Sequence, residues 1–265
     1  MKRVGIVSCY FKNNYGSMLQ AYATKKILDN NNIPNETINI DNNIDFKKGK
    51  RKYYLSQLFN FKFIKSKFGM IKLKLDKRII KDLGKNINIR DSKYKEFRKA
   101  FNLSISCPNY KSLNELAKNK YSDIIVGSDQ LWLPVNVVSD YYTLNWVPDE
   151  INKISYATSF GISKIPNKYA IEYKKFLSRI NHLSVREESG KKICDDYRIK
   201  SKVVCDPTLL LTKEEWEQEA IQERIITDKY ILCYFLGNNI EHRKFAERLK
   251  EKTGYKIVSL NHADE

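Results

Sequence analysis

Short apolar runs that end abruptly in glycine or small polar residues are the feature of this sequence that most limits its fold. In the clearest case, residues 124–126 (Ile-Ile-Val) are followed directly by Gly127, Ser128, Asp129 and Gln130. An aliphatic run between polar flanks is typical of a strand that is buried on both faces. Such strands belong to parallel sheets covered by helices, so the run predicts an α/β fold.

Predicted strands and helices alternate along the chain, which indicates a doubly wound sheet. We expect strands at residues 3–9, 38–41, 124–126, 154–161, 182–185 and 203–205, and a polar loop through residues 133–148. A further β-α-β unit covers residues 231–260. Because two strands and one helix cannot bury both faces of a sheet, this unit either extends the first sheet or begins a second domain. The charged segment 222–229 is the expected boundary.

The loop after the first strand carries Asn14, Tyr15 and Gly16 next to the start of a predicted helix. We expect Ser17 to cap this helix, and the buried face to hold Leu19, Ala23 and Ile27. A helix N-terminus suits an anion or sugar hydroxyls, so the loop is a candidate binding segment. It matches neither the Walker loop nor the Gly-x-Gly-x-x-Gly motif, so nucleotide binding by those motifs is not expected.

The charge of the chain is concentrated in one segment. Residues 47–99 contain 19 Lys and Arg against 4 Asp and Glu, a net +15 out of +17 for the whole chain. Lysine-rich faces are usually solvated, so we expect no nucleic acid partner. The five cysteines are scattered without a Cys-x-x-Cys pair, which argues against a disulfide framework or a metal site and favours the cytosol. No apolar run is long enough to predict a membrane span.

Residues 45–85 combine many aromatic and aliphatic side chains with lysines. We interpret this basic aromatic insertion as one or two amphipathic helices whose lysines extend along the domain surface. The alternative is a peripheral contact with an anionic membrane on its inner face.

Six segments taken together resemble the polysaccharide pyruvyl transferase family. They are Asn14-Tyr15-Gly16-Ser17 with Leu19-Gln20-Ala21; Val126-Gly127-Ser128-Asp129-Gln130 with Trp132; Ile154-Ser155-Tyr156-Ala157 with Ser159-Phe160-Gly161; Ser184-Val185-Arg186-Glu187; Asp206-Pro207-Thr208-Leu209-Leu210 with Trp216; and residues 230–237. The resemblance implies two Rossmann-like domains arranged as in B-type glycosyltransferases. Residues 1–222 would form the acceptor-side domain, and residues 229–265 would begin the donor-side domain.

The resemblance also implies transfer of pyruvate from phosphoenolpyruvate to a sugar as a ketal, with release of phosphate. The acceptor would be a glycan or a lipid-linked oligosaccharide, and no cofactor beyond this co-substrate is implied. The resemblance further implies a functional His in a Ser-Phe-His-Gly-like segment of the second domain. None of His182, His242 and His262 lies in such a segment, and we expect the second domain to be only begun in this chain.

Arg186 is the best candidate for binding the anionic donor, because it directly follows a predicted strand and a guanidinium grips phosphate or carboxylate in bidentate fashion. The alternative is a structural ion pair with Glu187 or Asp206. Asp129 is the candidate for accepting a proton from the acceptor hydroxyl or for simple sugar binding, and the structural alternative is a helix cap. The other candidates are Ser159 and Gly161 for the donor, and Asn14, Tyr15, Gly16, Gly127, Ser128 and Gln130 for the acceptor.

Three other functional classes compete with this interpretation. A nucleotide-sugar glycosyltransferase could have the same architecture. A non-catalytic glycan-binding or scaffold domain would be favoured if the natural chain stops at Glu265. A basic module for membranes or nucleic acids would show affinity that falls steeply with ionic strength.

Overall fold

The computed structural model describes residues 2–58, 81–220, 225–235, 237 and 239–260. Its strands are β1 Arg3–Val7, β2 Asn35–Thr37, β3 Tyr121–Val126, β4 Asn152–Thr158, β5 His182–Val185, β6 Lys202–Val203, β7 Tyr230–Cys233 and β8 Lys256–Ser259. Its α-helices are α1 Tyr15–Asn30, α2 Ile44–Ser56, α3 Lys81–Phe97, α4 Tyr110–Lys120, α5 Pro134–Ser139, α6 Ala170–Leu177, α7 Glu188–Asp196, α8 Lys213–Glu219 and α9 Ile240–Thr253.

Six strands form one parallel sheet in the order β2-β1-β3-β4-β5-β6, with helices flanking it. The predicted α/β fold with a parallel sheet is therefore confirmed. Ile6 of β1 pairs with Ile125 of β3, and Val185 of β5 pairs with Val203 of β6. This register aligns the carboxyl ends of the strands, so the residues that follow them emerge at one edge of the sheet.

The chain divides into two compact units. Within the described residues, one unit comprises 2–58 and 92–212 and contains the six-stranded sheet. The other comprises 81–91, 213–220 and the described part of 225–260. In this second unit β7 and β8 pair in parallel, and α9 between them starts at the cap Asn239 and ends at Gly254, whose φ is 68°. The β-α-β unit predicted at residues 231–260 is present.

The prediction of a polar loop at residues 133–148 is wrong. Every residue of this segment is buried or half-buried, and α5 lies inside it. Its polar groups are satisfied internally, since Trp146 Nε1 donates to the Tyr141 carbonyl at 2.9 Å and Asn145 Nδ2 donates to Asp140 Oδ1 at 2.7 Å. Internal hydrogen bonds of this kind allow a segment rich in polar residues to enter the core.

Two local predictions near the N-terminus also need correction. The second strand is β2, which precedes the predicted range 38–41. Helix α1 is capped by Asn14, whose side chain accepts from the Ser17 backbone N–H at 3.0 Å, so Ser17 is inside the first turn. Leu19, predicted to be buried, is 39% exposed. The helix starts earlier than expected because Asn is as good a cap as Ser.

The first part of the basic aromatic insertion is helical, as predicted, since α2 covers residues 44–56. Its buried residue is Phe46, while Leu55 is 53% exposed. Residues 59–80 lie outside the described residues. Among the helices that the structure describes, none combines the length and the apolar character that crossing a membrane requires.

Candidate active site

The carboxyl ends of the strands lie at one edge of the sheet, and the order in which the strands are added changes direction at β1. From β1 the chain runs to β2 on one side, and β3 lies on the other side of β1. In open parallel sheets the crevice outside the carboxyl ends of the strands at such a point is the usual ligand site. The residues after β1 and after β3 therefore define the candidate active site.

Asp129 is held at this point by hydrogen bonds on both of its carboxylate oxygens. Its Oδ2 accepts from the Ser17 hydroxyl at 2.5 Å, and its Oδ1 accepts from the Gln130 backbone N–H at 2.7 Å. The Asp129 carbonyl accepts from the Ser159 backbone N–H at 2.9 Å. Its φ of 90° is a left-handed value that Asp and Asn adopt more readily than other side chains. The carboxylate is half-buried and does not cap a helix, so the capping alternative is wrong.

The start of α1 lies beside Asp129, because Ser17 belongs to its first turn. Asn14 uses its side chain to cap the helix, Tyr15 is half-buried and Gly16 is exposed. The loop before the helix is fixed by Arg98, which donates to the Phe11 carbonyl at 2.7 Å and to the Tyr10 carbonyl at 3.3 Å. The predicted acceptor segment is thus joined to Asp129 in one ordered cluster.

Arg186 lies in a continuous chain of polar contacts that begins and ends on serine. Its guanidinium is 3.4 Å from Asp206 Oδ2 and 3.5 Å from Glu187 Oε2. The Ser128 hydroxyl donates to Asp206 at 2.6 Å, and the Ser159 hydroxyl donates to Glu187 at 2.7 Å. Both ion pairs that were the structural alternative for Arg186 are therefore present. The Arg186 side chain is still 33% exposed, so part of the guanidinium remains open to a ligand.

The remaining candidates occupy different surroundings. A Cβ added at Gly127 would meet Gln20 and Thr24 of α1 at ordinary contact distances, which places this glycine under the helix. Gly161 has a φ of 63°, and a Cβ there would be 3.1 Å from Gln130. Gln130 itself is exposed. Asp129, Gln130, Ser159 and Gly161 are therefore neighbours, whereas Gly127 is internal.

The position of Asp206 predicts an acid-sensitive contribution to stability. Desolvation alone would raise the pKa of Asp206, but hydrogen bonds from Ser128 and Thr208 and the charge of Arg186 together lower it below the ordinary 3.8. A carboxylate with a lowered pKa in the folded state stabilises the fold above its unfolded-state pKa and loses this effect as the pH falls through the folded-state pKa. We expect Asp206→Asn to destabilise the protein at neutral pH, and the difference from the wild type to shrink below pH 3.8.

Chemical denaturation of wild type and Asp206→Asn at a series of pH values measures this difference. Asp195→Asn is the control for loss of one negative charge, because Asp195 is 53% exposed and pairs only with its helix neighbour Lys191 among the contacts of described residues. A difference for Asp206→Asn that is independent of pH would contradict the assigned contacts.

Two lysines and a cysteine at this edge were not predicted from the sequence. Cys9 and Lys12 follow β1, and Lys50 comes from α2. Burial raises the pKa of the Cys9 thiol, although the nearby Lys12 lowers it in part. Lys12 and Lys50 are two of 48 basic residues, so residue type alone gave no reason to select them. The turn-rich loop after the first strand was the one available signal.

Comparison with known families gives a match over almost the whole chain. The family model described as polysaccharide pyruvyl transferase matches residues 14–264. Curated proteins and solved structures, when compared with this chain, give no match. The family match confirms the resemblance noted from the six sequence segments. It includes the α1 start, the end of β3 and the Arg186 strand end, which together form the site described above. The chain therefore belongs to the polysaccharide pyruvyl transferase family, a family of transferases.

Proposed function

We propose that this protein transfers pyruvate from phosphoenolpyruvate to a sugar of a cell-surface polysaccharide as a ketal, with release of phosphate. Family membership supports transferase chemistry and a polysaccharide acceptor. The observation that carries the proposal is that an oriented carboxylate, Asp129, and a partly exposed guanidinium, Arg186, share one edge of the sheet. A proton acceptor and an anion-binding group are the two functions that this reaction requires.

In the proposed reaction, protonation of C3 of phosphoenolpyruvate gives C2 oxocarbenium character, and the first acceptor hydroxyl attacks C2. Asp129 accepts the proton of that hydroxyl. A second hydroxyl of the same sugar then displaces phosphate from C2. Overall, two hydroxyl protons are lost, while C3 gains one proton and the released phosphate gains the other. Arg186 binds an anionic group of the donor throughout.

The wider architecture belongs to the same proposal. Residues 1–222 would form an acceptor-side domain, and residues 229–265 would begin a donor-side domain of the B-type glycosyltransferase kind. Asn14, Tyr15, Gly16 and Gln130 would serve the acceptor, Ser159 and Gly161 would serve the donor, and the internal Gly127 and the buried Ser128 would support the site from beneath. The reaction would take place in the cytoplasm on a glycan or lipid-linked oligosaccharide. The exposed lysines of α2 support a peripheral membrane contact through residues 45–85.

Calorimetric titration of phosphoenolpyruvate into the protein tests the donor assignment. We expect Arg186→Ala to weaken binding by about tenfold to a hundredfold, because charge-assisted hydrogen bonds to the donor are lost. Arg186→Lys should recover only part of the affinity, since an ammonium cannot form the bidentate contact. Lys192→Ala is the matched control, because Lys192 is an exposed cation on the helix that follows the same strand.

Two results would contradict the proposal. Unchanged phosphoenolpyruvate affinity in Arg186→Ala would move the donor site away from this strand end. Binding of a nucleoside diphosphate sugar by a protein that ignores phosphoenolpyruvate would replace pyruvyl transfer with glycosyl transfer.

A further inference from the structure

Two lysine side chains from separate parts of the sequence converge beside the end of β1. Lys12 lies in the loop after this strand, directly after Phe11. Lys50 comes from α2, and its Nζ is 4.2 Å from the centroid of the Phe46 ring and 5.6 Å from that of Phe11. Because Lys12 directly follows Phe11, the contact of Lys50 with the Phe11 ring brings α2 and the Lys12 loop together, and both ammonium charges act on the Cys9 thiol.

This lysine pair, Lys12 and Lys50, carries more positive charge than its surroundings balance. Within the described ranges, neither lysine forms an ion pair, and Asp129 is the acidic residue whose charge reaches Lys12. Arg186 differs, because Asp206 and Glu187 both contact it. When Asp129 is counted with the lysine pair, the net charge there is about +1. When Asp206 and Glu187 are counted with Arg186, the net charge there is about −1. The excess positive charge favours a dianion at the lysine pair, whereas Arg186, whose charge is offset, can contribute only directed N–H donors to the donor substrate.

Lys50 is half-buried, and burial is the main reason that its pKa is lowered. The nearby Cys9 opposes this shift, and the charge of Lys12 adds to it. Cation–π contact with Phe46 offsets part of the cost of burial. An anion bound between the two groups would remove the repulsion and supply the missing counter-charge. Like charges held close together are one of the arrangements that shift pKa values at functional sites.

Both lysines are carried by segments that the fold holds in place. Arg98 fixes the Lys12 loop through the carbonyls of Tyr10 and Phe11. Next to Lys50, a Cβ added at Gly49 would be only 2.5 Å from the Cα of Ser139, so α2 packs closely on α5. Neither segment has to be ordered when a ligand arrives, which is the condition for a preorganised site.

We propose that Lys12 and Lys50 form a phosphate-binding subsite next to Asp129, separate from the Arg186 contact. The inference rests on the proposed function in one respect: the phosphate belongs either to phosphoenolpyruvate or to a glycosyl phosphate acceptor. Lysine binds phosphate as a point charge with freely rotating donors, so the pair suits a group with several equivalent oxygens. Asp129 would then lie on the side of the subsite where an acceptor hydroxyl must lose its proton.

The test is calorimetric titration of the protein with inorganic phosphate, phosphoenolpyruvate and glucose 1-phosphate. We expect Lys12→Gln and Lys50→Gln each to weaken phosphate binding by about tenfold or more, since each removes a charge-assisted contact. Lys48→Gln, an exposed position on the same helix, loses the same charge and should bind as the wild type does. Lys50→Arg should retain most of the affinity because the charge is kept.

The three probes separate the sources of the phosphate. If both Gln variants lose phosphoenolpyruvate but not glucose 1-phosphate, the subsite holds the donor phosphate. The reverse pattern assigns it to the acceptor phosphate. If Lys50→Gln does not fold, Lys12→Gln carries the test, because Lys12 is in an exposed loop position.

The subsite and the proposed function fail in different ways. Wild-type affinity of both Gln variants for all three probes overturns the subsite, even if Arg186→Ala loses phosphoenolpyruvate. Absence of phosphate binding by the wild type overturns it as well. Loss of phosphate binding in the Gln variants of a protein that never binds phosphoenolpyruvate supports the subsite and rejects pyruvyl transfer.

Discussion

Asp129→Asn should lower the rate of ketal formation by about a hundredfold to ten-thousandfold while leaving the fold intact, because a positioned general base contributes this much to the rate. Asn is isosteric with Asp and tolerates the φ of 90° at this position. Its amide oxygen can still accept from the Gln130 backbone N–H, and its NH2 group can donate to the Ser17 hydroxyl. What it loses is the ability to take a proton from the acceptor hydroxyl.

The measurement is steady-state kinetics with varied phosphoenolpyruvate and varied acceptor. We expect kcat to fall and the donor KM to change little, since Asp129 does not bind the donor in this mechanism. Asp123→Asn is the matched control, because Asp123 belongs to β3, the strand that leads to Asp129, and lies away from its carboxyl end. Activity above a tenth of the wild-type value in Asp129→Asn would exclude this residue as the base.

Ser17→Ala refines the same prediction. Ser17 orients Asp129 through the 2.5 Å hydrogen bond but is not itself expected to touch the substrate. Its loss should lower kcat by about tenfold, which corresponds to the loss of one hydrogen bond, and should leave the donor KM near the wild-type value. A purely structural role would reduce the amount of folded protein and leave the kcat of that protein unchanged.

Trp132→Ala should produce the largest loss of stability, about 3–5 kcal/mol of the free energy of unfolding. The Trp132 side chain is fully buried, and its ring centroid is 5.1 Å from that of Phe160 and 5.4 Å from that of Phe176. Its Nε1 donates to the Tyr142 carbonyl at 3.1 Å. Truncation would therefore leave a cavity and an unpaired buried carbonyl together.

Chemical denaturation followed by circular dichroism measures this loss. Ile171→Ala on α6, the helix that contributes Phe176, is the control, because Ile171 is 82% exposed and its truncation should cost within about 0.5 kcal/mol. Trp132→Phe should fall between the two, since it keeps an aromatic ring and loses the hydrogen bond. A loss below 1 kcal/mol for Trp132→Ala would mean that the neighbouring rings close the cavity.

Trp132 also shows that a residue in a family-like sequence segment can belong to the core and not to the ligand site. The residue belongs to a segment that resembles the family, and a tryptophan beside a ligand crevice can stack on a sugar. Its complete burial assigns it to the core, and Trp146 is buried in the same way. Residue type and position relative to a strand do not reveal which direction a side chain takes, because the direction depends on the rings that surround it.

The alternation of apolar runs and amphipathic segments was enough to predict the α/β fold, the parallel sheet and most strand ends. These features depend on neighbouring residues, so they can be recognised along the chain. The N-cap of α1 was assigned to the wrong residue because Asn14 and Ser17 are both residue types that cap helices well, and the sequence alone does not distinguish them. The burial of residues 133–148 was missed because their hydrogen bonds are made only after the segment has folded against the sheet.

The sequence by itself determined which residues follow the strands, and hence the candidates Asp129 and Arg186. Only the tertiary structure decided what those residues contact. Strand order brings Ser128 to Asp206, and the packing of α2 brings Lys50 to the Phe11 ring beside Lys12, although each pair is far apart in the chain. The physical reason is that periodicity and capping act over a few residues, whereas charge balance and burial depend on groups that meet only when the sheet is assembled.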